Sequence, residues 1–148
     1  MPTVTTSTTI DAPIDVVLTV AQDNAKFPEF MDDVLSVDIV EKDGGRVVSD
    51  WVGVITSFGI KVRWQQEDVW DLDARTCEFQ QLKGDYDKMV GVWKFSQEGE
   101  KTLFESELDY EYVVPGLGAL VKKVVHGIVV KNMESVLEAI KNRAEEQK

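Results

Sequence analysis

Apolar and polar residues alternate with a period of two through the middle of this chain and recur at helical spacing at its two ends. Residues 3–10, Thr-Val-Thr-Thr-Ser-Thr-Thr-Ile, are almost all β-branched or small hydroxyl residues and predict a strand. Asp11-Ala12-Pro13 predicts a helix start, with Asp11 as the cap and Pro13 in the first turn. That helix covers residues 13–22, where Val16, Val17 and Val20 lie at helical spacing. A second short helix is expected around Pro28 to Met31, after a corner at Asp23-Asn24. From Val34 the period changes to two, in segments 34–42, 46–56, 60–71, 76–83, 86–97 and 101–113. The turns between them are Asp43-Gly44-Gly45, Ser57-Phe58-Gly59, Asp73-Ala74-Arg75, Gly84-Asp85 and Glu98-Gly99-Glu100. Turns this short join only antiparallel neighbours, so the segments predict a meander that the first strand completes at one edge. After Pro115-Gly116 the helical pattern returns from about Leu117 to Glu146, a rod on the order of 45 Å long. One sheet and one long helix seal a core only if the sheet curls around the helix, and such a curl leaves an interior space.

Side-chain parity says which residues face that space. On the last strand Phe104, Ser106, Leu108, Tyr110 and Tyr112 alternate with Glu105, Glu107, Asp109 and Glu111. The carboxylates must face water, because burying a row of them costs more than folding supplies. By the same rule Met89, Gly91, Trp93 and Phe95 share an inward face, as do Cys77 and Phe79. So do Ile60, Val62, Trp64, Gln66, Asp68 and Trp70, which places Lys61, Arg63 and Glu67 outside. On 46–56 the favoured inward set is Ser49, Trp51, Gly53 and Ile55, against an alternative face of Val48, Val52 and Val54. In the long helix the apolar stripe of residues 117–128 is rotated by roughly a quarter turn from that of 133–140. Gly127 sits at the changeover, so a bend or a change of packing partner is expected there.

Composition narrows the function. A chain of 148 residues with 43% hydrophobic and 29% charged residues is one ordinary globular domain, 1–148. A net charge of −11 argues against a nucleic-acid partner, whose phosphates need a basic field. No apolar stretch approaches the roughly 20 residues needed to span a bilayer. The Thr/Ser-rich first ten residues do not resemble a signal peptide, so the cytoplasm is the expected location. The sole cysteine, Cys77, cannot form an internal disulfide, and with the sole histidine, His126, it does not make a metal-ligand cluster. Asp32-Asp33 and Asp71/Asp73 read as turn and cap residues. No phosphate-cradling glycine loop precedes a helix. No metal or cofactor is therefore expected. His126 lies opposite the Leu117–Ile128 face and reads as a solvated or partly covered residue rather than a catalytic base.

Several stretches together carry a resemblance. They are Ile10-Asp11-Ala12-Pro13-Ile14-Asp15-Val16-Val17, Asp23 with Phe27-Pro28-Glu29-Phe30, and Gly84-Asp85-Tyr86 with Gly91-Val92-Trp93-Lys94-Phe95 and Lys101-Thr102. Leu108-Asp109-Tyr110-Glu111-Tyr112 leading to Pro115 completes the series. In this order the chain resembles the START-like superfamily over essentially its whole length, nearest to its polyketide cyclase/dehydrase and coenzyme-Q-binding branch. The resemblance implies an α+β helix-grip fold: a curved seven-stranded antiparallel sheet around a long C-terminal helix, in the order β-α-α-β6-α. It also implies an apolar cavity for a lipid, sterol, quinone or polyketide, and it transfers no catalytic motif.

The expected function is thus the binding of a small hydrophobic molecule, as carrier, sensor or chaperone. An aromatase/cyclase-type enzyme and a protein-interaction scaffold with a filled core are the alternatives. The cavity residues expected are Trp51, Trp64, Phe79, Met89, Trp93, Phe104, Leu108, Tyr110, Tyr112, Leu120, Val124 and Ile128, with Arg63 and Asp68 as polar candidates. Trp70 reads as core. A pocket of roughly several hundred Å³ would suit such a guest. Access is expected between segment Val113–Leu120 and the short helices near Phe27 and Phe30. The apolar residues Val113, Val114, Leu117 and Leu120 would suit transient membrane contact. The protein is expected to be a monomer or weak dimer.

Overall fold

A computed structural model describes residues 2–55, 59–112 and 119–148, giving the backbone alone for Ile55, Ile60 and residues 119–122. Strand β1 (Thr3–Ile10) leads into helix α1 (Ile14–Gln22) and a turn of 3₁₀ helix (Asn24–Glu29). Six strands follow: β2 (Val34–Asp43), β3 (Arg46–Ile55), β4 (Ile60–Asp71), β5 (Thr76–Gly84), β6 (Lys88–Glu98) and β7 (Lys101–Glu111). Helix α2 (Ala119–Gln147) ends the chain. The strands form one curved antiparallel sheet in the order β1-β7-β6-β5-β4-β3-β2. This is the meander with β1 at its edge that the turn lengths predict, in the helix-grip arrangement. The predicted Ser57-Phe58 turn and the whole Val113–Gly118 stretch lie outside the described residues, as does the Leu120 side chain.

Two local details differ from expectation. The short helix spans Asn24–Glu29 rather than Pro28–Met31. Pro28 has no amide to donate, so the turn is closed instead by the Phe30 and Met31 amides on the Phe27 carbonyl, and Met31 falls beyond its end. Asp11 does not cap α1. The residue at the cap position is Pro13, which leaves Asp11 two residues too early to reach the first helical amides. The Ile14 amide donates instead to Gln97 Oε1 at 3.0 Å, from β6. Asp11 pairs with Lys148 Nζ at 2.9 Å, and its own amide donates to Glu145 Oε2 at 2.9 Å. The start of α1 is thereby fastened to both the sheet and the end of α2.

The inward face divides into two apolar clusters. One gathers Ile10, Val17, Phe27, Phe95, Phe104, Leu137 and Ile140; the other gathers Val4, Phe79, Met89, Leu108, Tyr110 and Val129. Helix α2 bridges them along Val125, Val129, Met133, Val136, Ile140 and Ala144, at steps of three or four residues, with Val130 and Leu137 packed beside this row. Its packing partner does change, but between Met133 and Val136, not at Gly127. Gly127 faces outward, and a Cβ there would meet nothing within 4 Å. Two adjacent apolar rows compete on this helix; the sheet takes the Val125/Val129 row, leaving Val124 45% exposed. On β7 the carboxylates of Glu105, Glu107 and Glu111 face water as predicted, while half-buried Asp109 accepts a 2.6 Å hydrogen bond from Thr3 Oγ1.

Candidate ligand cavity

Between the two clusters, which Trp64 and Trp93 join along the sheet, the concave face of the sheet, α2 and the 24–34 corner enclose a cavity of about 140 Å³. One wall comes from β3 and β4 through Trp51, Gly53, Val62, Trp64, Gln66, Asp68 and Trp70, all alternating along their strands as the pleat requires, with Val54 the one residue of this wall out of step. Cys77, Phe79, Met89, Trp93 and Leu108 line it from β5, β6 and β7; Val129, Asn132, Met133 and Val136 close it from α2. Asn24, Phe27, Met31, Asp33 and Val34 form one end, and Tyr86 reaches in from the turn between β5 and β6. Met31, Asp33 and Val136 also border an outer groove that runs along Phe30, Lys131 and Glu134.

The lining is largely a continuous aromatic surface. Phe27 meets Trp51 edge-on at 5.9 Å, Trp51 stacks on Trp64 at 5.6 Å and 16°, and Trp64 meets Tyr86 edge-on at 5.8 Å. Phe79 and Trp93 form a second edge-on pair at 5.9 Å. Gly91, opposite Phe79 in the ladder, allows this: a Cβ there would lie 2.3 Å from Phe79 Cζ and 2.7 Å from the Glu107 carbonyl oxygen. The glycine lets the Phe79 ring lie flat across β6.

One polar network breaks this surface. Trp64 Nε1 donates to Gln66 Oε1 at 3.0 Å, Gln66 Nε2 donates to Asp68 Oδ1 at 2.7 Å, and Asn24 Nδ2 donates to Asp68 Oδ2 at 3.1 Å. Asp68 is only 5% exposed. Burial pushes its carboxyl up to about 6, against the opposing effect of the Gln66 and Asn24 hydrogen bonds. Burial, helped by the Asp68 charge, likewise pushes up the Cys77 thiol, and burial pushes the Tyr86 phenol up to about 12. Asp33 at the groove is also raised, by burial and by its neighbour Asp32.

Of the residues expected around the cavity, the structure brings together Trp51, Trp64, Phe79, Met89, Trp93, Leu108 and Asp68. The others lie elsewhere. Phe104 is sealed in the first cluster, stacked on Phe95 at 4.5 Å. Tyr110 turns to α2, its Oη 2.9 Å from His126 Nδ1, so His126 is partly covered by the sheet rather than opposite the contact face. Tyr112 packs edge-on against Tyr86 behind the lining, Ile128 is half-buried outside it, and Val124 is exposed. Arg63 is exposed on the outer face, where strand alternation puts it, and is not a cavity group. Trp70, expected as core, borders the cavity while stacking on Phe95 at 6.0 Å. Phe27, expected at the entrance, is part of the lining itself, and Asn24 and Met31 join it there without a signal in the sequence, because the irregular 24–34 corner has no period from which to read a face. The cavity is also smaller than expected, close to the ~150 Å³ of an engineered protein cavity that holds one benzene ring.

Among the described residues no cluster of three or more His, Cys, Asp or Glu could hold a metal ion. No described helix is long and apolar enough to cross a membrane. A lining of this kind can exclude water from a mainly apolar, ring-containing molecule and offer it the carboxylate of buried Asp68, with half-buried Asp33 a second acidic residue at the end that borders the groove.

Comparison with known proteins agrees with this architecture. A protein of Thermus thermophilus, known by crystal structure, is 34% identical and superposes with a TM-score of 0.91 over 97% of each chain. The Zhui aromatase/cyclase from a Streptomyces species shares the fold at 20% identity, with a TM-score of 0.89 over 97% of this chain and 93% of that one. A START superfamily protein from Mycobacterium smegmatis does so at 16% identity and 0.81, over 99% of both. No curated protein matches the sequence significantly. The family model for polyketide cyclase / dehydrase and lipid transport matches residues 10–137, so the chain belongs to that family.

Proposed function

We propose that this protein binds a small hydrophobic molecule in the cavity between its sheet and α2, as a carrier, sensor or chaperone. The observation that carries the reading is the unfilled aromatic volume bounded by Trp51, Trp64, Trp70 and Trp93. A scaffold would have no use for such a hollow, since empty apolar space forfeits dispersion contacts and costs stability. Desolvation drives the binding: a ring burying about 150–200 Å² of apolar surface gains about 4–5 kcal/mol. A lipid, a quinone such as coenzyme Q or a polyketide each offers such surface. The protein acts as a monomer or weak dimer in the cytoplasm, touching membranes only transiently. Native mass spectrometry of protein purified from its own host tests the reading. A retained lipophilic adduct is expected, weakened by Trp93→Ala far more than by His126→Ala. Equal losses in the two variants, after correction for stability, or no retained adduct, would overturn it.

Asp68 favours one second reading, a cyclase or dehydrase. A carboxyl held at about 6 inside an apolar cavity exchanges a proton near neutral pH, as a general acid or base must. Turnover of a polyketone that is abolished in Asp68→Asn while binding persists is the result that would establish it.

A further inference from the structure

The polar network in the cavity has a direction. An indole N–H can only donate, so Trp64 obliges Gln66 to present its carbonyl oxygen, and the Gln66 NH₂ then points at Asp68. Asn24 donates to the other carboxylate oxygen. Both branches of the network, from Trp64 through Gln66 and from Asn24, therefore end on Asp68 as acceptor. A carboxylate offers about four acceptor positions, of which these two neighbours occupy one on each oxygen. No ion pair reaches Asp68 among the described residues. Glu67, on the same strand, adds charge of the same sign. A buried carboxylate with spare lone pairs and no cation gains strongly from one further donor.

We infer that the cavity selects an apolar guest bearing a hydrogen-bond donor, a hydroxyl or ammonium group, that docks on Asp68, and that it rejects guests ending in a carboxylate. This rests on the proposed binding function and specifies its ligand. The aromatic walls take the body of the guest; Asp68 orients it. A carboxylate guest would bring a second negative charge to the same low-dielectric spot with no cation to offset it.

The test is equilibrium dialysis at pH 7.5 with four one-ring compounds of similar shape, sized to the cavity: toluene, phenol, benzylamine and benzoate. Ring burial alone favours toluene, so a preference for a donor must come from a polar partner. The native protein is expected to bind phenol or the amine at least about three-fold more tightly than toluene, and benzoate at least about ten-fold more weakly than the better donor. Which donor leads distinguishes a hydroxyl guest from a cationic one. In Asp68→Leu the donor preference is expected to reverse while toluene still binds; Asp68→Asn falls between. If the native protein prefers toluene, or accepts benzoate equally well, the donor-docking inference fails and the binding function stands. If none of the four binds, both fail. The native protein alone decides between these outcomes should a variant not fold.

Discussion

Replacing Asp68 by Asn is expected to stabilise this protein at neutral and alkaline pH, although it removes a group that accepts two hydrogen bonds. The carboxyl is held at about 6 in the folded chain against 3.8 when unperturbed, so the folded state binds its proton more tightly. Between those values the native state carries more of the proton than the unfolded state, and stability falls as pH rises. The favourable contribution is complete below about 3.8 and gone above about 6. Its size is about 3 kcal/mol, since each tenfold change in proton affinity is worth ~1.4 kcal/mol. Asparagine has nearly the shape of the protonated acid and never ionises. Its carbonyl accepts from Gln66, and its NH₂ is satisfied once Asn24 rotates its amide to present oxygen. The expected gain is about 1–3 kcal/mol at pH 8, shrinking towards zero at pH 4, where native Asp68 is itself largely protonated in the folded state. Urea unfolding followed by far-UV circular dichroism at both pH values measures the difference. The many surface carboxylates titrate alike in both proteins and cancel. A variant no more stable than the native protein at pH 8, or one whose gain is the same at both pH values, refutes the reasoning.

Three further outcomes follow from the packing. Gly91→Ala is expected to cost about 1–3 kcal/mol, because its Cβ cannot avoid both the Phe79 ring and the Glu107 backbone; thermal unfolding reads this as a fall in Tm, and an unchanged Tm counts against the flat Phe79 placement. Gly127→Ala is expected to add about 0.5–1 kcal/mol, since α2 gains helix propensity where nothing crowds a Cβ; a loss of stability there would mean that this face of α2 is covered. The Cys77 thiol, 2% exposed and with its ionisation opposed by burial, is expected to resist a disulfide exchange reagent at pH 7.5 until the chain is unfolded; rapid labelling of the folded protein would contradict the buried placement.

Most of the fold was legible because it follows from period. Glu105 and Glu107 alternating with Phe104, Ser106 and Leu108 fix which face of β7 turns inward, and the same alternation turns Arg63 outward. Parity tells which side of a sheet a residue faces, however, not what lies above it. Phe104 and Leu108 share a face, yet the first is sealed under its aromatic neighbours while the second borders the cavity. On α2 the sequence offers two apolar rows, and only the sheet decides between Val124/Ile128 and Val125/Val129. The Asn24–Asp68 contact joins an irregular corner to a strand 44 positions away, and no local pattern encodes such a meeting.

The shared border of the cavity and the outer groove bears on which molecules could be admitted. Helix α2 packs on β1 and α1, whereas Met31, Asp33 and Val136 stand where the interior adjoins the exterior. The Val54 amide bonded to the Asp33 carbonyl at 2.9 Å pins that side, apart from the ladders between strands. An outward swing of the corner would leave the seven-stranded framework paired, but it would break that bond and the Asn24–Asp68 hydrogen bond and draw Phe27 off Trp51. The resting volume therefore acts as a filter on size: a flat single ring fits without disturbing the corner, whereas a longer guest must offset the loss of those contacts before the interior accepts it.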